Sequence, residues 1–213
     1  MNMLAQTVTD TWTDATWENF QIAVDRATKQ ERKTKAYYYN GWMKLEMSPV
    51  GNPHARDHFI ISSAISFYAT LRQIAIDGLD NCSYRKTGNL EVQPDLSFYI
   101  SDNAGTLSWD TRIVDLDRDR APDLAIEIAD GTLSDDRGQK RLLYEEIGVA
   151  EYWVVDVETS EITAFETIEG GSRKICVSQV LPGLELNVLE SALKRCRQTN
   201  HARVMAWLLQ QWQ

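Results

Sequence analysis

The order of helical and extended segments along the 213 residues predicts an α/β fold, a mixed β-sheet flanked by helices. Three observations carry that expectation. A long helical period occupies Pro53–Ile76, with Ile60, Ala64, Phe67, Leu71 and Ile74 on one stripe. Two apolar strands, Leu96–Ile100 and Leu124–Ala129, each follow a Pro-Asp dipeptide. A second amphipathic helix, Ser134–Ile147, precedes the β-prone run Tyr152–Val157, with Gly148 as its stop signal.

The remaining elements fit around these. Thr16 suits an N-cap for a first helix that puts Trp17, Phe20 and Val24 on one face and dissolves into the charged stretch Lys29–Lys35. Tyr37–Met47 reads as a β-hairpin turning at Asn40-Gly41, a dipeptide suited to the positive φ angles of a type I′ turn. Its second arm alternates Trp42, Lys44 and Glu46 with Met43, Leu45 and Met47. Ser101–Ala121 is a polar, exposed connection. Short strands near Glu161–Glu166 and Arg173–Val177 follow, and Leu189–Gln213 reads as helix with no acidic residue after Glu190. Without repeats or a long linker, the expectation is a single domain over residues 1–213, with residues 1–15 flexible and residues 189–213 a C-terminal helical extension.

Composition narrows the function classes. Hydrophobic residues make up 43% and charged residues 25%, as in ordinary folded chains. No apolar run approaches the ~20 residues that span a bilayer, so no membrane partner is expected. Met1–Glu18 lacks the basic-then-apolar pattern of a secretory signal. The scattered Cys82, Cys176 and Cys196 form neither a zinc motif nor a disulfide framework, which points to a reducing cytoplasm. A net charge of −9 excludes a generic basic DNA-coating protein but does not exclude an enzyme that holds a metal with acidic groups.

The chemistry centres on four residues. Glu127 lies inside the strand Leu124–Ala129, sharing a face with Asp123, Ala125 and Ala129, whereas Leu124, Ile126 and Ile128 take the other. A carboxylate among alanines is either exposed or part of a functional cleft. Asp123, four positions away on the same strand, is about 13 Å off at Cα. Asp95, on another strand, can sit across the sheet at about 5 Å and is the better partner for Glu127 around a metal; Asp123 shapes the strand entry. Proline and aspartate at a strand start are also ordinary turn chemistry. Lys140 falls on the stripe of Leu143, Tyr144 and Ile147, so three readings stand: a surface ion pair with Asp136, a stem snorkelling over apolar surface, or an ammonium aimed at the sheet edge near Glu127. The last is favoured.

These residues resemble the PD-(D/E)xK nuclease signature. More specifically, Pro122 through Lys140, Tyr144, Gly148-Val149 and Glu151–Asp156, together with Tyr39–Pro49 and His54, resemble the Uma-two family of restriction-endonuclease-like bacterial proteins over roughly Thr16–Leu186. The resemblance implies a restriction-endonuclease-like fold and a Mg²⁺-dependent (alternatively Mn²⁺-dependent) DNA endonuclease, with Asp95 and Glu127 as the metal-holding acidic pair. It departs from the superfamily pattern at Ala129, two residues after Glu127, where lysine is usual; Lys140 on the following helix takes that role. Glu46 occupies a matching family position as an accessory acidic group, or is simply a solvent-facing strand residue. His54 and His58 are read as bracketing a helix start rather than binding metal.

Two other classes compete. One is a nuclease fold that binds without turnover, using basic clusters at Lys29–Lys35, Arg137-Lys140-Arg141 and Lys194-Arg195-Arg197 with Arg203, or else leaving them as solvated faces. The other is an assembly factor whose Trp207, Leu208 and Trp212 pack on a second copy, and a homodimer is a candidate partner in either case.

Overall fold

The structure is a computed structural model that describes residues 11–31, 34–47 and 51–213. In chain order the elements are β1 (Thr13–Asp14), α1 (Trp17–Lys29), β2 (Thr34–Tyr39), β3 (Trp42–Met47), α2 (Asn52–Arg72), β4 (Ile76–Asp80), β5 (Tyr84–Lys86), β6 (Leu90–Val92), β7 (Leu96–Ile100), β8 (Val114–Asp115), β9 (Leu124–Ala129), α3 (Leu133–Arg137), α4 (Gln139–Ile147), β10 (Glu151–Asp156), β11 (Glu161–Ile168), β12 (Gly171–Ile175), α5 (Leu186–Cys196) and α6 (His201–Trp212). They divide into two compact units, one of residues 1–50, 83–93 and 112–120, the other of 51–82, 94–111 and 121–213. No helix among the described residues is long and apolar enough to cross a membrane.

The first unit is a six-stranded sheet in the order β1-β3-β2-β6-β5-β8 with α1 on one face. Thr16 caps α1 by accepting the Asn19 N–H at 3.2 Å. Phe20 and Ala23 pack with Ala36, Tyr38 and Leu45, flanked by Trp17, Val24 and Met43. The hairpin turns at Asn40 (φ 49°) and Gly41 (φ 80°), as its sequence predicts. Of residues 1–15, residues 1–10 lie outside the described residues; Thr13 and Asp14 pair with Met43 and Trp42 as an added strand. Residues 32–33 of the basic stretch and 48–50 after the hairpin also lie outside the described residues.

The second unit is built on a mixed sheet, β12-β11-β10-β9-β7-β4, in which β9 and β10 are parallel and the other neighbours antiparallel. One face carries Leu96, Phe98, Ile100, Leu124, Ile126, Ile128, Trp153 and Val155 against α2, α5 and α6. α2 ends four residues before its expected terminus, because Gln73 adopts a left-handed conformation (φ 56°) and the chain turns into β4. The short edge strand β4 carries a glycine and two aspartates, a pattern too weak to read as a strand. The buried stripe of α2 centres on Ile60, Ile61, Ala64, Ile65 and Tyr68, with Phe67, Leu71 and Ile74 at its margin.

The expected single helix Ser134–Ile147 is two. The break falls at Gly138 (φ −106°, ψ −98°), where an added Cβ would stand 2.9 Å from the Ser134 carbonyl oxygen. The C-terminal helices are also two, with Asn200 capping α6 through the Arg203 N–H. Their apolar residues do not await a second copy: Leu208 and Trp212 are buried in this unit's own core and Trp207 packs at its edge beneath Arg195.

Two buried carboxylates tie the helices and loops of this unit down. Asp57 on α2 is fully buried and receives both guanidinium nitrogens of Arg197, which also donates to the Val157 carbonyl at 3.0 Å. Glu151 accepts from Trp153 Nε1, Ser178 Oγ, Gln179 N and Val180 N, anchoring the 178–181 turn to the start of β10. Arg197→Met strands the Asp57 charge and should cost about 3–5 kcal/mol in urea unfolding, whereas the double replacement Asp57→Leu/Arg197→Met should cost less. Burial raises the Glu151 carboxyl above its ordinary value despite those four donors. The folded chain therefore holds this proton more tightly than the unfolded chain. The resulting stability is complete below the unfolded value and fades as pH rises through the folded one. The stability of wild type relative to Glu151→Gln should thus fall as pH climbs from about 4.3, the ordinary glutamate value.

Candidate active site

The candidate chemistry lies on β9 and at the start of β7, with α2 reaching Asp95 and α4 reaching Glu127. Strands β7 and β9 run antiparallel with Leu96 opposite Ile126, Ser97 opposite Ala125 and Phe98 opposite Leu124. Asp95 and Glu127 each lie one residue beyond the last of these pairs, so the two acidic positions flank the same end of this ladder. Glu127 shares its face with Ala125 and Ala129, as the alternation predicts. It is buried, at 2% exposure, rather than turned to solvent.

Both Pro-Asp dipeptides do the same structural job. Asp95 Oδ2 accepts the Ile128 N–H at 2.8 Å, and Asp123 Oδ2 accepts the Ile100 N–H at 2.7 Å. Each carboxylate at the start of one strand clasps the far end of the other. Asp123 is completed by Asn103 Nδ2 at 2.7 Å and shapes the strand entry, as expected. Asp95 differs in its surroundings. Its Oδ1 lies 3.3 Å from His54 Nε2, and its carbonyl oxygen lies 3.1 Å from His58 Nε2. His58 also approaches Asp80 at 3.2 Å. The two histidines occupy successive turns at the start of α2, so reading them only as marking that start missed their common target. Their i, i+4 spacing was the available signal.

Lys140 sits at the start of α4 with 1% exposure. Its Nζ lies 2.8 Å from Asp136 Oδ1 and 3.7 Å from Glu127 Oε1. Two of the readings of this lysine therefore hold together: it pairs with Asp136 and it faces Glu127. The pair is not at the surface, since Asp136 is 1% exposed. Asp136 is held in turn by Thr132 Oγ1, which donates to its Oδ2 at 2.5 Å. Arg141, a neighbour in the expected basic cluster, lies over the Phe165 ring and beside Glu145.

Tyr144, one turn after Lys140, donates its hydroxyl to Glu127 Oε1 at 2.7 Å. Its ring stacks on Tyr152 at 4.5 Å, and the Tyr152 hydroxyl donates to the Asp136 carbonyl at 3.0 Å. Burial pushes the Tyr152 phenol well above its usual value, and the charges of Asp136 and Glu127 add to this while Lys140 opposes it. Tyr152 is thus held as a neutral donor to the Asp136 carbonyl. Glu46 belongs to the first unit, where it pairs with the buried Lys44 at 2.8 Å.

At the C-terminal ends of β9 and β10 a cleft of about 860 Å³ opens. Asn52, Pro53 and Arg56 of α2, Ala129, Asp130 and Gly131 after Glu127, and Arg197 are among its lining residues. Open α/β sheets commonly place ligands at this end. Among the described residues no group of three or more His, Cys, Asp or Glu forms a ready metal cage. The donors that Asp95 and Glu127 present are hard oxygens, and one or two carboxylates are the usual protein share of a Mg²⁺ shell that substrate phosphate and water complete. This donor chemistry fits a hard divalent cation.

The comparisons with known proteins agree with this architecture. A crystal structure described as that of "a putative nuclease belonging to DUF820" from Anabaena variabilis ATCC 29413 superposes with a TM-score of 0.54 at 18% identity, over 74% of this chain and 90% of that one. At that identity the likeness establishes the fold. No curated protein matches the chain. The Uma2 family model, described as "Putative restriction endonuclease", matches residues 17–198, and the chain belongs to that family.

Proposed function

We propose that the protein is a metal-dependent DNA endonuclease that hydrolyses phosphodiester bonds with Asp95, Glu127 and Lys140. The observation that carries this reading is the placement of Asp95 and Glu127 at the same end of neighbouring strands, with the Lys140 ammonium 3.7 Å from Glu127. The family description supports the nuclease class; the DNA substrate, the Mg²⁺ and the residue roles are inferred from chemistry. Asp95 and Glu127 would hold the ion. A bound Mg²⁺ would supply a lowered water pKa and neutralise phosphate charge.

The protein's own groups do the rest. Tyr144 and Lys140 fix Glu127 from one side, while the Ile128 N–H and His54 fix Asp95 from the other. Neither carboxylate needs to reorganise when a cation arrives, which is the condition under which electrostatic stabilisation is largest. Lys140 is the cation able to complement charge that grows on a phosphate oxygen, and its depth removes the screening that water would impose. Glu46 stands as an accessory acid in this proposal on the strength of its family position alone.

The two Pro-Asp motifs provide an internal control. Supercoiled plasmid nicking in Mg²⁺ should fall by about 10²-fold or more in Asp95→Asn, Glu127→Gln and Lys140→Met. Asp123→Asn, which touches only the strand entry, should nick at the wild-type rate once folded. Circular dichroism checks that each variant is folded. Nicking that survives Glu127→Gln unchanged would overturn the assignment and favour a nuclease fold that binds without cutting.

A further inference from the structure

Asp136 is the charged member of the buried group around Lys140 to which the proposed reaction gives no task. It is as buried as Lys140, and its two carboxylate oxygens face different partners, Lys140 Nζ at 2.8 Å and Thr132 Oγ1 at 2.5 Å. Lys140 is therefore placed unequally toward two carboxylates, in close ion-pair contact with Asp136 at 2.8 Å and further from Glu127 at 3.7 Å. A buried ammonium closes on an available carboxylate, because Coulomb attraction at low dielectric is strong and poorly screened. An ammonium closing on Glu127 would neutralise the charge and occupy the oxygen that a cation requires.

We propose that Asp136 is a positioning residue that holds Lys140 back from Glu127 and so keeps Glu127 able to bind a divalent cation. The proposal rests on the reading of Glu127 as a metal-holding carboxylate. Three features equip Asp136 for it. Thr132, just before α3, orients the carboxylate. The Tyr152 hydroxyl pins the Asp136 backbone through its carbonyl oxygen. The break at Gly138 separates the turn that carries Asp136 from the one that carries Lys140, so their relation is set by the joint as well as by the ion pair. Asp136 acts through Lys140 and needs no contact with substrate.

The test is binding of Mn²⁺ alone to the full chain without DNA, followed by the loss of the free-ion paramagnetic resonance signal. Asp136→Asn should weaken Mn²⁺ binding about tenfold, a change equivalent to about 1.4 kcal/mol. Thr132→Val leaves every charge in place and only loosens the carboxylate, and it should weaken binding about threefold, or about 0.65 kcal/mol. Both losses should vanish in a Lys140→Met background, since without the ammonium there is nothing to hold back. The Thr132 variant separates holding from a simple change of field and also serves if Asp136→Asn folds poorly. Wild-type affinity in Thr132→Val, or losses that persist without Lys140, would overturn this role for Asp136 alone. If wild type and Glu127→Gln bind Mn²⁺ equally, the metal-site reading fails, and the role of Asp136 fails with it.

Discussion

The pairing of β7 with β9 is the constraint on which the site depends. A slip of one residue in this register would turn every side chain of one strand to the opposite face. Glu127 would then lie among Leu96, Phe98 and the helices. The reciprocal clasp by Asp95 and Asp123 guards against this from both ends, because each carboxylate satisfies one specific N–H of the partner strand. The hydrophobic pattern points the same way, since Leu124, Ile126 and Ile128 can be buried under α2 only in the observed register. Geometry and core packing therefore select the same alignment, and the placement of the two carboxylates is a by-product of it.

Burying these charges is costly, and the local structure offsets that cost with hydrogen bonds and ion pairs. Glu127 has a tyrosine and a lysine, Asp136 a threonine and the same lysine, and Asp95 a backbone amide and a histidine. The stacked Tyr144–Tyr152 pair supplies the apolar wall that keeps water from screening them. The arrangement holds these carboxylates in fixed positions. Buried ion pairs are seldom a net source of stability.

Much of this was legible in the sequence. Periodicity of two placed Glu127 away from the leucine–isoleucine face, and periodicity of 3.6 placed Lys140 on the buried stripe. The dipeptide Asn40-Gly41 and the cap at Thr16 announced their turns through local backbone preferences. What stayed hidden was of two kinds. Short strands such as β4, β5 and β6 owe their existence to neighbours rather than to propensity. The helix breaks at Gly138 and Thr199-Asn200 interrupt patterns that read continuously, because a face can persist across a joint. The hydrogen bond of Tyr144 to Glu127 was equally out of reach, since which helix covers β9 is a matter of topology. The depth of Asp136 and Lys140 escaped for a simpler reason: an i, i+4 Asp–Lys pair looks the same in sequence whether it lies in water or under tyrosines.

The burial of Trp212 has a bearing on how the molecule is made. The core of the second unit gathers residues from α2, the central strands and α6, so its hydrophobic interior stays open until synthesis has passed Trp212. A nascent chain halted earlier exposes the underside of α2 and offers the ribosome-bound intermediate a large sticky surface. This ordering makes the packing beneath the β7–β9 scaffold wait for α6. Fragments that lack α6 would be substrates for proteases.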